Sequence, residues 1–172
     1  DEMGNEVPTG EDGEVWARGG NFMREYWKLP EQTDAVFVDG WYRTGDAGHV
    51  DDHGYLFLVD RVKDMVIVSG FKVFTRELDE VLAKHPDIEL GASIGIPDPE
   101  RPGSERVGCA IVLKPGIEKS EAERAKILEF LKAEVAPYKV PKVIEFMDQL
   151  PTSGVGKILK REIKKMMTEG RA

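Results

Sequence analysis

Short β-type runs dominate the opening part of this chain, and helical spacing enters only after it. Up to about Asp60, Glu14–Arg18, Trp41–Val50 and Tyr55–Asp60 read as strands, and Asp51-Asp52-His53-Gly54 reads as the turn of a hairpin. Pro30-Glu31-Gln32-Thr33-Asp34 predicts a single helical turn, because proline suits the first helical position. Such strands hold little core of their own. A second unit opens near Lys63. Met65–Phe74 holds two β-branched runs on either side of Ser69-Gly70, the pattern of a tight hairpin. Thr75 is expected to cap a helix whose buried stripe is Leu78, Val81 and Leu82, with Glu77 and Asp79 near its positive end and Pro86 stopping it. Ile88–Ile96 and Val107–Leu113 read as strands joined by a Pro/Gly loop. Ser120 opens a helix to Ala136, with Ala122, Ala125, Leu128 and Leu131 as its small and apolar residues. Pro137 and Pro141 bracket the approach to a strand at Val143–Phe146, and a basic helix follows. The order of hairpin, α, β, β, α, β, α predicts an α+β domain, a small mixed sheet with flanking helices, large enough for an independent core.

Composition narrows the classes. The chain has 172 residues and a net charge of −8, an acidic balance that argues against bulk nucleic-acid binding. No apolar run approaches membrane-spanning length, and no signal peptide precedes Asp1. One cysteine excludes an internal disulfide, and Cys109, inside Val-Gly-Cys-Ala-Ile-Val-Leu, reads as a buried strand residue. The three histidines form no evident metal constellation; His49 and His53 simply flank a hairpin turn. The last helix is locally basic and reads as a solvated amphipathic face, with a patch for phosphates or an anionic membrane as the lesser alternative.

Three islands carry candidate chemistry. Trp41-Tyr42-Arg43-Thr44-Gly45-Asp46 ends a short strand, where a Thr-Gly turn projects the Asp46 carboxylate. Asp60-Arg61 closes the next strand. A carboxylate accepts two hydrogen bonds from a vicinal diol, and a guanidinium grips a phosphate or sugar oxygen, so the pair suits a ribose-phosphate. The competing reading, which spacing alone favours, is a turn cap at Asp46 and a surface ion pair at Arg61. The third island is Leu150–Ile163, where Lys157 stands between a Thr-Ser-Gly-Val-Gly loop and the basic helix. A phosphate-cradling P-loop would need glycine at Pro151 and a hydroxyl at Ile158. Lys157 instead reads as a residue on a flexible loop that swings into a site formed elsewhere, or as a solvated loop lysine.

In this order the islands resemble the adenylate-forming superfamily of acyl-CoA synthetases, peptide-synthetase adenylation domains and luciferases. Six segments carry the resemblance: Gly13–Gly20, Tyr26–Thr33, Asp39–Asp46, Asp60–Asp64, Tyr138–Phe146 and the Lys157 loop. Asp60–Phe71 together with Gly154–Glu162 is most similar to bacterial and archaeal long-chain fatty acid–CoA ligases. The resemblance implies that residues 1–62 end a large AMP-binding domain with a β-rich subdomain, and that 63–172 form a mobile C-terminal lid domain. It implies a fragment of an enzyme that joins a carboxylic acid to ATP, giving acyl-AMP, and then transfers the acyl group to CoA. The triphosphate loop, the Mg2+ site and the acyl pocket are expected upstream, so the fragment alone is expected to be inert.

Residue roles follow from the same resemblance. Lys157 bridges the carboxylate and the α-phosphate. Asp46 holds the ribose hydroxyls, Arg61 the ribose or α-phosphate region, and Leu58 packs on the nucleotide. Lys63 is the hinge, and Ser69, Gly70 and Phe71 line the path of CoA. A fatty acid or another carboxylic acid, with CoA, would be the substrates, in the cytoplasm or peripherally at a membrane; no nucleic-acid partner is implied. The chain departs from many relatives at Ile67, where a lysine is common, at Thr75 in place of proline, at Val155 in place of serine, and in a longer Pro99–Arg106 loop. An aryl- or shorter-chain acid ligase, or a non-catalytic nucleotide- or carrier-binding module, are the alternatives.

Overall fold

Why the first unit coheres at all is a matter of one strand. The computed structural model describes residues 1–169 and divides into two units, Asp1–Lys63 and a second from Asp64 onward. In the first, β3 (Trp41–Val50) is central. Strand β1 (Gly13–Ala17) pairs along one edge, and β2 (Phe37–Val38) and β4 (Leu56–Arg61) pair along the other, all antiparallel. Helix α1 (Pro30–Val36) begins on its proline but runs seven residues rather than one turn. The Thr33 hydroxyl extends it backwards, donating to the Leu29 carbonyl and accepting the Tyr26 amide.

β3 has the Trp41–Val50 extent that its spacing predicts, but the Thr-Gly pair is not a turn that ends a shorter strand within it. β3 continues through it, and its register against β1 jumps from Glu14↔Ala47 to Trp16↔Arg43. Thr44-Gly45-Asp46 is therefore a bulge, with Gly45 at φ 73°. Thr44 Oγ1 pins it, donating to the Val15 carbonyl at 2.8 Å and accepting the Asp46 amide at 3.1 Å. Ala47 is the one fully buried hydrophobic side chain in this unit. Tyr55, Leu56, Phe57 and Leu58 stay 49–68% exposed, in keeping with a sheet that has little core of its own.

The second unit is built around a mixed sheet in the order β7 (Ile88–Pro97), β8 (Glu105–Leu113), β9 (Val143–Phe146). β7 and β8 run antiparallel; β8 and β9 run parallel, joined through α3 (Glu121–Glu134). Alternate residues of β8 serve two cores. Val107, Cys109, Ile111 and Leu113 pack with Leu78 and Leu82 of α2 (Thr75–Leu82) and with Ile127 and Leu131 of α3. Ala110 and Val112 pack with Ile94, Leu150, Ile163 and Met167, the last two from α4 (Lys160–Glu169). Burial on both faces explains why these strands read as unbroken apolar runs. A separate hairpin, β5 (Val66–Val68) and β6 (Phe71–Val73), seals the α2–α3 side with Val66 and Val73.

One local expectation needs correction. Thr75 does not cap α2; it is the first helical residue and fully buried, while the capping position belongs to Phe74, without a side-chain hydrogen bond. Its hydroxyl is engaged by Lys160 instead. In α3 the buried stripe is Glu123, Ile127 and Leu131, with Leu128 beside it. Ala122 and Ala125 face solvent. The stripe is set by i, i+4 spacing from Glu123, a charged residue that an apolar pattern passes over. The expected cap at Ser120 is present, accepting the Glu123 amide at 3.2 Å.

Candidate functional site

Asp46 and Arg61 stand directly opposite each other, one on β3 and one on β4. The guanidinium Nε lies 3.1 Å from Asp46 Oδ1. The surface ion pair of the simpler reading is thus made between the two candidate groups themselves. Both remain partly exposed, Asp46 at 28% and Arg61 at 48% of the side chain, so the pair is open to a ligand. The bulge at Thr44-Gly45 aims Asp46 there. Leu58 lies across from Gly48, half exposed, three residues from Arg61 on the same strand. Nearby, the Tyr42 hydroxyl sits 3.5 Å from that of Tyr26. That contact first, then burial and the Asp46 charge, hold the Tyr42 phenol protonated above its usual range.

The Lys157 segment is a closed turn rather than an open loop. Thr152 bridges Ile158, the Ser153 amide donates to the Lys157 carbonyl at 2.8 Å, and the Leu159 amide donates to Pro151 at 2.9 Å. Ser153 Oγ accepts the Lys157 amide at 3.2 Å, and Gly156 provides the positive φ, 80°, that closes it. Leu150 is buried and Ile158 packs against the same core, so the turn is seated at its base. At its rim Lys157 is exposed and in no ion pair among the described residues. Helix α4 starts only at Lys160.

Lys63 lies in the 3₁₀ turn Val62–Asp64, where the chain passes from one unit to the next. Ser69 and Gly70 form the β5–β6 turn with φ of 50° and 88°, the paired positive values of a two-residue hairpin. A side chain on Gly70 would meet nothing within 4 Å, so its conformation and not crowding within the chain requires glycine. Phe71 is exposed and stacked on Tyr138, with ring centroids 4.8 Å apart. The Pro99–Arg106 loop reaches this turn. The Arg101 guanidinium donates to Ser69 Oγ, and Ser104 Oγ accepts the Ser69 amide at 3.2 Å. Sequence reading noted the length of that loop but not Arg101 or Ser104. The sequence places Asp79 near the positive end of its helix but does not reveal its partner, Lys160, whose ammonium lies 2.6 Å from the Asp79 carboxylate.

Burial pushes the Asp79 carboxyl up, more than Lys160 and the Ser93 amide pull it down. Burial also pushes the Cys109 thiol up to about 12, which leaves it protonated and unreactive, as its strand position implies. One histidine does join carboxylates: His85, Asp87 and Glu123 bring a ligand atom each within 4.8 Å of one another. Groups of this chain already engage them. His85 Nδ1 accepts the Asp87 amide at 3.2 Å, and Lys126 pairs with Glu123 Oε2 at 2.8 Å.

The first unit thus presents a bulge-mounted carboxylate facing an arginine, and the second a lysine on a closed turn. Residues 77–157 match the AMP-binding enzyme C-terminal domain. It is 43% identical over 166 residues to a long-chain-fatty-acid–CoA ligase of Yersinia pestis, covering 95% of this chain and 28% of that protein. It is 44% identical over 162 residues to a feruloyl-CoA synthase of an Amycolatopsis species, covering 94% and 32%. Among solved structures, ATP-bound MatB from Rhodopseudomonas palustris superposes with a TM-score of 0.86 at 32% identity, covering 99% of this chain and 33% of that one. The chain therefore spans about a third of the length of these relatives.

Proposed function

We propose that this chain is the C-terminal part of an ATP-dependent acid–CoA ligase, with residues 63–172 as a mobile lid and 1–62 as the end of the nucleotide-binding domain. The observation that carries this reading is Lys157. An ammonium held on a closed turn, in no ion pair among the described residues, is suited to a site where two anions must meet. In the first half-reaction a substrate carboxylate attacks the α-phosphate of ATP. Lys157 would stabilise the charge shared between them, in a cleft where water no longer screens it. Asp46 would accept from the ribose hydroxyls, Arg61 would hold the sugar or α-phosphate, and Leu58 would pack on the nucleotide. In the second half-reaction the CoA thiol displaces AMP, with the Ser69-Gly70 turn and Phe71 lining its path after rotation about Lys63.

Mg2+ would neutralise the triphosphate, and none of the residues here is assigned to it. Similarity to the fatty-acid ligase favours a long-chain fatty acid as substrate, and the feruloyl-CoA synthase keeps an aryl acid as the second reading. No helix among the described residues is long and apolar enough to cross a membrane. We place the reaction in the cytoplasm, with the exposed Arg161 and Lys165 of α4 as the surface for any peripheral membrane contact.

The deciding experiment is a pair of single-turnover assays on the full-length enzyme. Lys157→Ala should slow acyl-AMP formation by roughly 10²–10³, the usual cost of removing one preorganised charge donor. Preformed acyl-AMP should still react with CoA at the wild-type rate. Equal loss in both steps would remove Lys157 from the adenylation role.

A further inference from the structure

The start of α4 breaks a rule that helices ordinarily obey. Lys160 and Arg161 occupy its first turn, where the positive end of the helix dipole disfavours cations, and Lys157 stands only three residues earlier. Local rules broken in this way tend to mark functional positions. The structure shows how the conflict is relieved. Lys160 Nζ lies 2.6 Å from Asp79 Oδ2 and 2.6 Å from Thr75 Oγ1, with only 20% of its side chain exposed. The other oxygen of Asp79 accepts the Ser93 amide at 2.6 Å.

Ser93 belongs to β7, the outer strand of the sheet, so its amide points past the last ladder. Helix α2 packs with the core on one side of the sheet, and α4 with the core on the other. Asp79 and Lys160 clasp the two helices together around the free edge of β7. The clasp also closes one end of the Lys157 turn. Its other end is Leu150, buried in the α4-side core. Between these anchors the Thr152–Ile158 bridge transmits position through backbone hydrogen bonds. A shift of the first turn of α4 would carry Lys157 with it.

We propose that Asp79 and Lys160 are positioning residues for Lys157, a role that rests on the adenylation reading given above. An exposed ion pair contributes little to stability. This one is largely withdrawn from water, and both Asp79 oxygens are spoken for, so its geometry is defined on both sides. Misplacing a catalytic group by about 1 Å can cost up to about 10²-fold in rate.

The test uses the full-length ligase and separate half-reactions. Lys160→Met and Asp79→Asn should each slow acyl-AMP formation about tenfold or more, lowering kcat and kcat/KM together. The reaction of preformed acyl-AMP with CoA should be unchanged, and Lys160→Arg should keep most of the adenylation rate. The double variant Asp79→Leu/Lys160→Met separates position from stability. An apolar pair of similar volume often restores or exceeds the stability of a buried ion pair, so its Tm should recover. Its adenylation should stay slow. Recovery of adenylation along with Tm, or a proportional loss of both half-reactions in Lys160→Met, would overturn the proposal. Lys157→Ala is run alongside. If that variant adenylates normally, the reading of Lys157 is what fails; if it is slow while Lys160→Met is fast, the clasp is what fails.

Discussion

At the scale of single residues, Asp46 carries a claim that can be separated from structure. Its carboxylate faces Arg61 across two strands. If it also receives the ribose hydroxyls, Asp46→Asn in the full-length enzyme should weaken AMP about tenfold, since hydrogen bonds to a charged acceptor are worth roughly 1.5–3 kcal/mol. Binding of 2′,3′-dideoxy-AMP should barely change. Equal losses for both nucleotides would assign Asp46 to holding Arg61 instead. Asp79 makes a pH-dependent claim. Burial raises its pKa above the ordinary aspartate value. The folded state therefore keeps this proton to higher pH than the unfolded chain, and the stability so gained at acid pH is lost as pH rises through the raised value. The urea-derived stability of wild type relative to Asp79→Asn should accordingly decline as pH rises above the ordinary aspartate range. A difference that grew with pH would mean that Lys160 outweighs burial.

Among elements, the hairpin, the strands and the helices of the second unit were legible because their cues are local. Ser69-Gly70 needs positive φ, Ser120 has a side chain that caps, and β8 alternates between two apolar cores. What escaped depends on tertiary partners. Thr75 looks like a cap, yet Lys160, eighty-five positions later, takes its hydroxyl. The Gly-rich run before Lys157 reads as flexible, and only the seat of Leu150 and Ile158 on the sheet shows it to be a closed turn. Thr44-Gly45 reads as a turn, because nothing in its spacing reveals that β1 stays paired on both sides of it. Gly48 tests that strand directly. A Cβ there would fall 2.3 Å from the Phe57 carbonyl oxygen, which is backbone and cannot swing aside. Gly48→Ala should cost about 1–3 kcal/mol, in the range of overpacking. It should weaken AMP binding in the full-length enzyme by displacing β4, and with it Arg61. Unchanged stability would show that the two strands part at no cost.

For the whole molecule, the hinge assignment predicts unequal effects. Lys63→Pro would fix φ and delete an amide donor at the proposed pivot. In the full-length enzyme it should slow thioester formation more than adenylation, and limited proteolysis should cut first near residues 58–66. Equal slowing of both steps would place the pivot elsewhere. The isolated chain should exchange no pyrophosphate into ATP above a Lys157→Ala control, and measurable exchange would show that it carries a complete adenylation site.

The solitary, deeply buried thiol has a practical consequence. Cys109 is fully buried, protonated at neutral pH and unavailable to maleimides, so this chain is silent towards thiol reagents. Val155, at the tip of the turn and 91% exposed, could become cysteine without disturbing packing. A fluorophore attached there would be the only label this chain accepts. It would ride two residues from Lys157, and its energy transfer to a fluorescent nucleotide in the full-length enzyme would record, in time, whether that lysine moves during turnover.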